Sequence, residues 1–257
     1  MIIFDNKKLK RIEVKDERFY TFDDVNFFPS VTTILDAYPK GYAFNQWLKD
    51  MGNNAELVVK RASEIGTATH NLIERYLKGE KISWDNVDIL TWTMFLKFRE
   101  FWMEYKPTVI AIEQQMISED LGFAGTLDIV CEINGEIWLI DAKTSNAIHN
   151  SYELQIAAYR KMWNYANPDM EIQRTGIFWM KAQTRGADKT GKKIQGEGWQ
   201  LKEYERNWLD SYDLFEAVFK IWKNENPDFR PKNLIYPSEV DLNVDLTPEE
   251  INGSTIG

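Results

Sequence analysis

Apolar and polar positions change period twice along this chain, and the changes divide it into elements. Residues 8–22 alternate and are rich in β-formers, which predicts a hairpin around Asp16-Glu17. Pro29-Ser30 then opens a short helix that Ser30 or Thr32 can cap and that Pro39 and Gly41 close. Over 55–77, Val58, Ala62, Ile65, Thr69, Leu72 and Tyr76 recur at helical spacing, and Gly79 stops the run. A second helix is predicted over 86–105, with Leu90, Met94, Phe98, Phe101, Trp102 and Tyr105 on its apolar side and Pro107 beyond its end.

The period then shortens. Residues 108–117, 122–133 and 136–144 read as three successive strands, the last two joined by the tight-turn pair Asn134-Gly135. A helix follows over 152–165, then a strand over 175–181, a segment at 199–204 able to pair near it, and a late amphipathic helix over 205–224. No repeat or linker divides residues 1–236. The order helix, three strands, helix, strand predicts one α/β domain with a mixed central sheet and flanking helices, preceded by a hairpin and short helix as an N-terminal extension.

Composition narrows the function classes. The chain has 257 residues, a net charge of -9, two histidines and one cysteine. Cys131 alone cannot make a disulfide framework, a four-cysteine zinc site or a cysteine-ligated iron–sulfur cluster, and two histidines exclude a three-histidine site. Lys7, Lys8, Lys10 and Arg11 are not followed by an apolar stretch, so no signal peptide is expected. No apolar run of about 18 residues predicts a membrane span. The expected location is the cytoplasm.

The acidic balance taken alone disfavours nucleic acid. It is unevenly spread, however. Residues 237–257 hold Glu239, Asp241, Asp245, Glu249 and Glu250 with no lysine or arginine, and read as a loosely ordered acidic tail. Residues 181–198 hold Lys181, Arg185, Lys189, Lys192 and Lys193 among four glycines and read as a basic loop, which is either a DNA contact or a solvated hairpin tip.

The candidate chemistry lies on the three strands. Asp128 alternates to the same face as Thr126 and Val130, and Asp141 shares a face with Lys143 two residues on. Across one hairpin, Asp128 and Asp141 can meet. Two carboxylates there repel unless a cation lies between them, and a divalent metal with oxygen ligands is one such cation. Lys143 can then orient water or stabilise charge developing at a phosphate. A structural ion pair at a strand end is the alternative. His70 lies on the 55–77 helix, four residues after Gly66 on the same face. Gln155 and Tyr159 share a face of the 152–165 helix, where they either line a site or hydrogen-bond the sheet end.

The stretches Gly66-Thr67-Ala68-Thr69-His70, Gly125-Thr126-Leu127-Asp128, Asp141-Ala142-Lys143 and Gln155 with Tyr159, in that order, resemble the PD-(D/E)XK nuclease superfamily in its RecB-type branch. Pro29-Ser30-Val31-Thr32-Thr33-Ile34-Leu35 is similar to the opening segment of phage and mitochondrial-genome-maintenance-type exonucleases. The resemblance implies a restriction-endonuclease-like core. It also implies Mg²⁺ or Mn²⁺ held by His70, Asp128, Asp141 and the Ala142 carbonyl, with Lys143 as catalytic lysine. Glu113 matches an acidic position near the metal, although it is also readable as a solvent-facing strand residue. Gln155 and Tyr159 would contact DNA or support the site. Leu127 stands where proline is usual, and Asp141 where glutamate is commoner. Relatives with an iron–sulfur cluster are excluded by the single cysteine.

The function so implied is a metal-dependent DNA exonuclease acting at ends or single-stranded regions in phage-type recombination, repair or processing, with a recombination or helicase protein as a conceivable partner. The alternatives are a non-catalytic DNA-binding or recombination-accessory module, a restriction- or repair-type endonuclease, and a metal-independent binding protein whose acidic pairs are structural.

Overall fold

A computed structural model describes residues 2–3, 9–14, 17–180, 198–204 and 207–231. The acidic tail at 237–257, and Lys181, Arg185, Lys189, Lys192 and Lys193 of the basic loop, lie outside the described residues.

The chain folds as a mixed six-stranded sheet covered by helices on both faces, with a small three-stranded antiparallel sheet beside it. The predicted meander forms its centre: β5 (Thr108–Ser118), β6 (Phe123–Ile133) and β7 (Glu136–Lys143) pair antiparallel in sequence order. Asn134 and Gly135 take φ of 53° and 83°, the left-handed pair that a two-residue hairpin requires. Helix α5 (Ser151–Ala166) then carries the chain over the sheet to β8 (Arg174–Trp179), which pairs parallel with β7. The last strand, β9 (Gln200–Glu203), closes one edge on β8, while β1 (Ile2–Ile3) caps the far end of β5 at the other.

Two cores follow from strands whose both faces are apolar. On one face, α1 (Val31–Leu35), α5 and α6 (Trp208–Glu225) pack Ile156, Tyr159, Met162 and Phe215 against Phe123, Leu127, Val130 and Leu139. On the other, α3 (Ala55–Leu77) and α4 (Ile89–Tyr105) pack Ile65, Leu72, Phe98 and Phe101 against Ile129, Cys131, Ile140 and Phe178. Each fully buried phenylalanine contributes roughly 1.5–3 kcal/mol relative to exposure.

The predicted hairpin is present as β2 (Lys10–Val14) and β3 (Glu17–Thr21), with a short β4 (Phe28–Pro29) completing the second sheet. Ser30 is the cap chosen for α1, its hydroxyl accepting from the Thr33 amide at 2.9 Å. Gly41 does not end this region as expected. With φ of 79° it turns the chain straight into α2 (Gly41–Met51), a helix that buries none of its residues. Asp88 caps α4 through the Leu90 amide, and Lys106 ends it in a left-handed conformation before Pro107.

Candidate metal centre

The site forms where α3 crosses the end of β7. Gly66 makes that approach possible, because a Cβ there would lie 3.3 Å from the Thr144 hydroxyl. One turn later His70 reaches the strand, its Nε2 lying 3.0 Å from the Ala142 carbonyl oxygen. Its Nδ1 faces Glu113 Oε1 at 3.5 Å and Asp128 Oδ2 at 3.6 Å. One donor atom from each of His70, Glu113 and Asp128 falls within 4.8 Å of the others.

Glu113 reaches this place through an irregular backbone. It sits in the middle of β5 with φ of 46°, outside the range a strand residue normally adopts. The ladder pairs Ile112 with Ile129 and Gln114 with Leu127, so Glu113 and Asp128 stand opposite one another. Strand β6 changes phase at the same level. Phe123 and Leu127 pack toward α5, yet from Asp128 onward the α5 side takes the even-numbered Val130, while Ile129, Cys131 and Ile133 face α3 and α4. Asp128 stands at this change of phase: its carboxylate lies 3.6 Å from His70 of α3 whereas Val130 packs on the α5 side, so the expected strict alternation does not run through it. Thr126 instead faces the second sheet, where its hydroxyl lies 3.0 Å from the Tyr20 hydroxyl. Irregular strand geometry of this kind is a common way to re-aim a side chain.

The β6–β7 ladder runs as far as Ile129 opposite Ile140. Beyond it the Asp128 carboxylate takes over, accepting the Ala142 amide at 2.9 Å. Asp141, one step earlier on β7, is almost wholly buried, and its Oδ2 meets Lys143 Nζ at 2.7 Å. Its Oδ1 has no hydrogen-bond partner among the described residues. Lys143 Nζ also lies 4.8 Å from the centre of the Tyr152 ring.

Electrostatics here reflect burial first and the neighbouring charges second. Burial pushes the Asp141 carboxyl up to about 6, with Lys143 opposing and Asp128 adding to the rise. Burial raises Asp128 too, against the pull of His70. For His70, burial lowers the pKa, but Asp128 and Glu113 outweigh it and hold the imidazole at about 9. Lys143 is likewise held above its ordinary value by Asp141 and Asp128 despite burial.

A cavity of about 360 Å³ opens above these groups. Gln155 and Tyr159 of α5 line it and meet each other, the amide of Gln155 donating to the Tyr159 hydroxyl at 3.3 Å. Gly125 admits the Tyr159 ring: a Cβ there would lie 2.5 Å from ring atom Cε1. The opposite wall comes from the second sheet, whose β2–β3 register puts Arg11 across from Tyr20 and Glu13 across from Arg18 on one face. Glu13 holds both guanidiniums, Arg11 at 2.6 Å and Arg18 at 3.3 Å.

The donor set fits a divalent cation. It offers one imidazole nitrogen and several carboxylate oxygens, and Asp141 Oδ1 is a buried acceptor with an unused lone pair. Oxygen donors suit Mg²⁺ and Mn²⁺, and an imidazole favours Mn²⁺ of the two.

No family model and no curated protein matches this chain. A solved structure of a candidate exonuclease from Eubacterium rectale matches with a TM-score of 0.38 and 12% sequence identity, covering 75% of this chain and 79% of that one.

Of the predicted residues, His70, Glu113, Asp128, Asp141, Lys143, Gln155 and Tyr159 line one cavity, and the backbone of Ala142 meets His70 and Asp128 beside it. Glu113 joins His70 and Asp128 as a close donor, whereas Asp141 is engaged by Lys143. Arg11, Arg18 and Tyr20 also line the cavity, and the sequence pattern does not assign them to it. Their one sequence signal was the alternation of 8–22, which places Arg11 and Glu13 on a common face without saying what that face meets.

Proposed function

We propose that this protein is a Mg²⁺- or Mn²⁺-dependent deoxyribonuclease that hydrolyses phosphodiester bonds. The observation that carries the reading is the convergence of His70, Glu113 and Asp128 donors beside the Asp141–Lys143 pair at the floor of one cavity. His70, Glu113, Asp128 and the free oxygen of Asp141 would hold the cation, with the Ala142 carbonyl beside them. Such an ion, when bound, polarises a phosphoryl oxygen and makes water a better nucleophile at neutral pH.

The remaining work falls to the chain's own groups. Lys143 keeps its proton, so it offers a positive charge to an oxygen on which negative charge develops. Asp141 fixes the direction of that ammonium. Arg11 and Arg18 on the facing wall bind backbone phosphates, and Gln155 with Tyr159 closes the cavity on the α5 side. The similarity of residues 29–35 to the phage and mitochondrial-genome-maintenance-type exonucleases favours attack from DNA ends, in recombination, repair or DNA processing.

The test is single-turnover cleavage of end-labelled DNA with Mn²⁺ by wild type, Asp128→Ala and Lys143→Ala. Loss of cleavage in both variants is expected, and equal cleavage by all three overturns the assignment. Linear products of mononucleotides and short oligomers, with closed circles left intact, are the expected exonuclease pattern. Nicked circles identify an endonuclease.

A further inference from the structure

A second cavity, of about 600 Å³, adjoins the first. Thr32, Lys143 and Gln155 line both, so the two are continuous past the lysine. Their chemistry differs. The first is walled mainly by charged and polar groups, whereas the second brings together four rings, Tyr38, Phe44, His149 and Tyr152, with Asp36 and Lys40 as its further charged groups besides Lys143. The His149 and Tyr152 rings meet edge to face, with centroids 5.2 Å apart at 89°. Tyr152 is the same ring that lies under Lys143 Nζ, so the aromatic hollow begins where the ammonium ends. Phe44 belongs to α2, which buries none of its residues, and its ring contacts are Trp47 at 5.7 Å and the Lys40 ammonium at 5.6 Å. A helix so lightly tied to the core, holding a ring toward a cavity, is placed to meet something that enters it.

We propose that this second cavity is a nucleobase site, and that its occupant is the unpaired strand of single-stranded DNA whose phosphates cross Lys143. The inference rests on the nuclease reading above and adds the substrate's form. Aromatic rings accept any base by stacking, which suits an enzyme that advances along a strand. The volume is that of pockets enclosing small molecules, roughly 300–1,000 Å³, and so admits a nucleotide or two but no duplex. A duplex would have to open before its strand reached Lys143.

The experiment uses the full chain with Ca²⁺ in place of Mg²⁺ and titrates it with a short single-stranded DNA carrying 2-aminopurine, with blunt duplex, and with the same strand made abasic at two adjacent positions. Wild type is expected to alter 2-aminopurine emission by stacking and to prefer the intact single strand to both others. Phe44→Ala should weaken intact-strand binding by roughly 5- to 100-fold, the range of one lost stacking contact, and leave abasic binding unchanged. Phe44→Leu keeps apolar bulk but no ring face, and should bind as weakly as Phe44→Ala while melting at the wild-type temperature. Wild-type affinity in both variants, or blunt duplex bound as tightly as single strand, overturns the proposal. RNA of the same sequence bound as tightly as DNA overturns DNA as the occupant. The Mn²⁺ cleavage assay separates the two readings. Cleavage with no Phe44 effect removes the base site alone, and a base-dependent Phe44 effect without cleavage removes the nuclease alone.

Discussion

His70 Nε2 lies 3.0 Å from the carbonyl oxygen of Ala142, which ties helix α3 to the end of β7 at the point where the acidic groups converge. The same ring's other nitrogen faces Glu113 and Asp128, so in the metal-free protein a proton on His70 substitutes for a cation.

This gives a pH signature. The folded pKa of about 9 stands above the ordinary 6.5, so the stabilisation is complete below pH 6.5 and is lost as pH rises through 9. Its size is on the order of a few kcal/mol. Thermal melting of the metal-free protein should fall over that window, and His70→Gln should flatten the fall. His149, the other histidine, is shifted downward by burial and titrates below the window. Mn²⁺ added at pH 7 should release protons, measurable in weakly buffered solution.

The Asp141–Lys143 pair should reveal its burial on mutation. Lys143→Met strands a carboxylate that is 1% exposed, and a loss of about 3 kcal/mol in denaturant unfolding is expected. Asp141→Asn in the Lys143→Met background should recover much of that loss. A double variant no more stable than Lys143→Met would contradict the pair's role.

Gly125→Ala should cost about 1–3 kcal/mol, because the new methyl group meets the Tyr159 ring at 2.5 Å and the ring is buried. In a Tyr159→Leu background the same substitution should cost less, the signature of two residues sharing one space. Unfolding curves of the four proteins in this cycle decide it.

Arg11→Ala and Arg18→Ala should each weaken DNA binding. If each guanidinium meets one phosphate, the slope of log affinity against log salt should fall by roughly 0.7–0.9 per substitution. Binding isotherms at several salt concentrations measure this, and unchanged slopes would remove the second sheet from the DNA path.

The long periodic elements were legible. The helix at 55–77 and the three-strand meander match the observed α3, β5, β6 and β7 closely, because both are long enough for periodicity to dominate. That Asp128 and Asp141 reach one cavity follows from a related cause: one tight turn sets a register that runs to Ile129 opposite Ile140, one step short of the two acids. Helix α2 was not, because Pro39-Lys40-Gly41 reads as a stop, whereas the left-handed Gly41 begins a new helix. Glu113 was legible as an acid in a strand, but its orientation depends on a backbone angle that no local pattern encodes. Arg11 and Arg18 reach the cavity through the docking of one sheet against another, fixed by contacts such as Tyr20 to Thr126, 106 residues apart.

The left-handed backbone at Glu113 has a second effect, on association. Strand β5 is 11 residues long, and among the described residues β1 covers only Ile117 and Ser118 of its outer edge. A straight edge of that length is a template on which another copy can add a strand. The register shift between Val109 and Ala111 and the reversed φ at Glu113 break the regular spacing of amides and carbonyls along it. The distortion that aims a carboxylate inward thereby also spoils the edge for recruitment, and a variant that straightened it would be expected to aggregate.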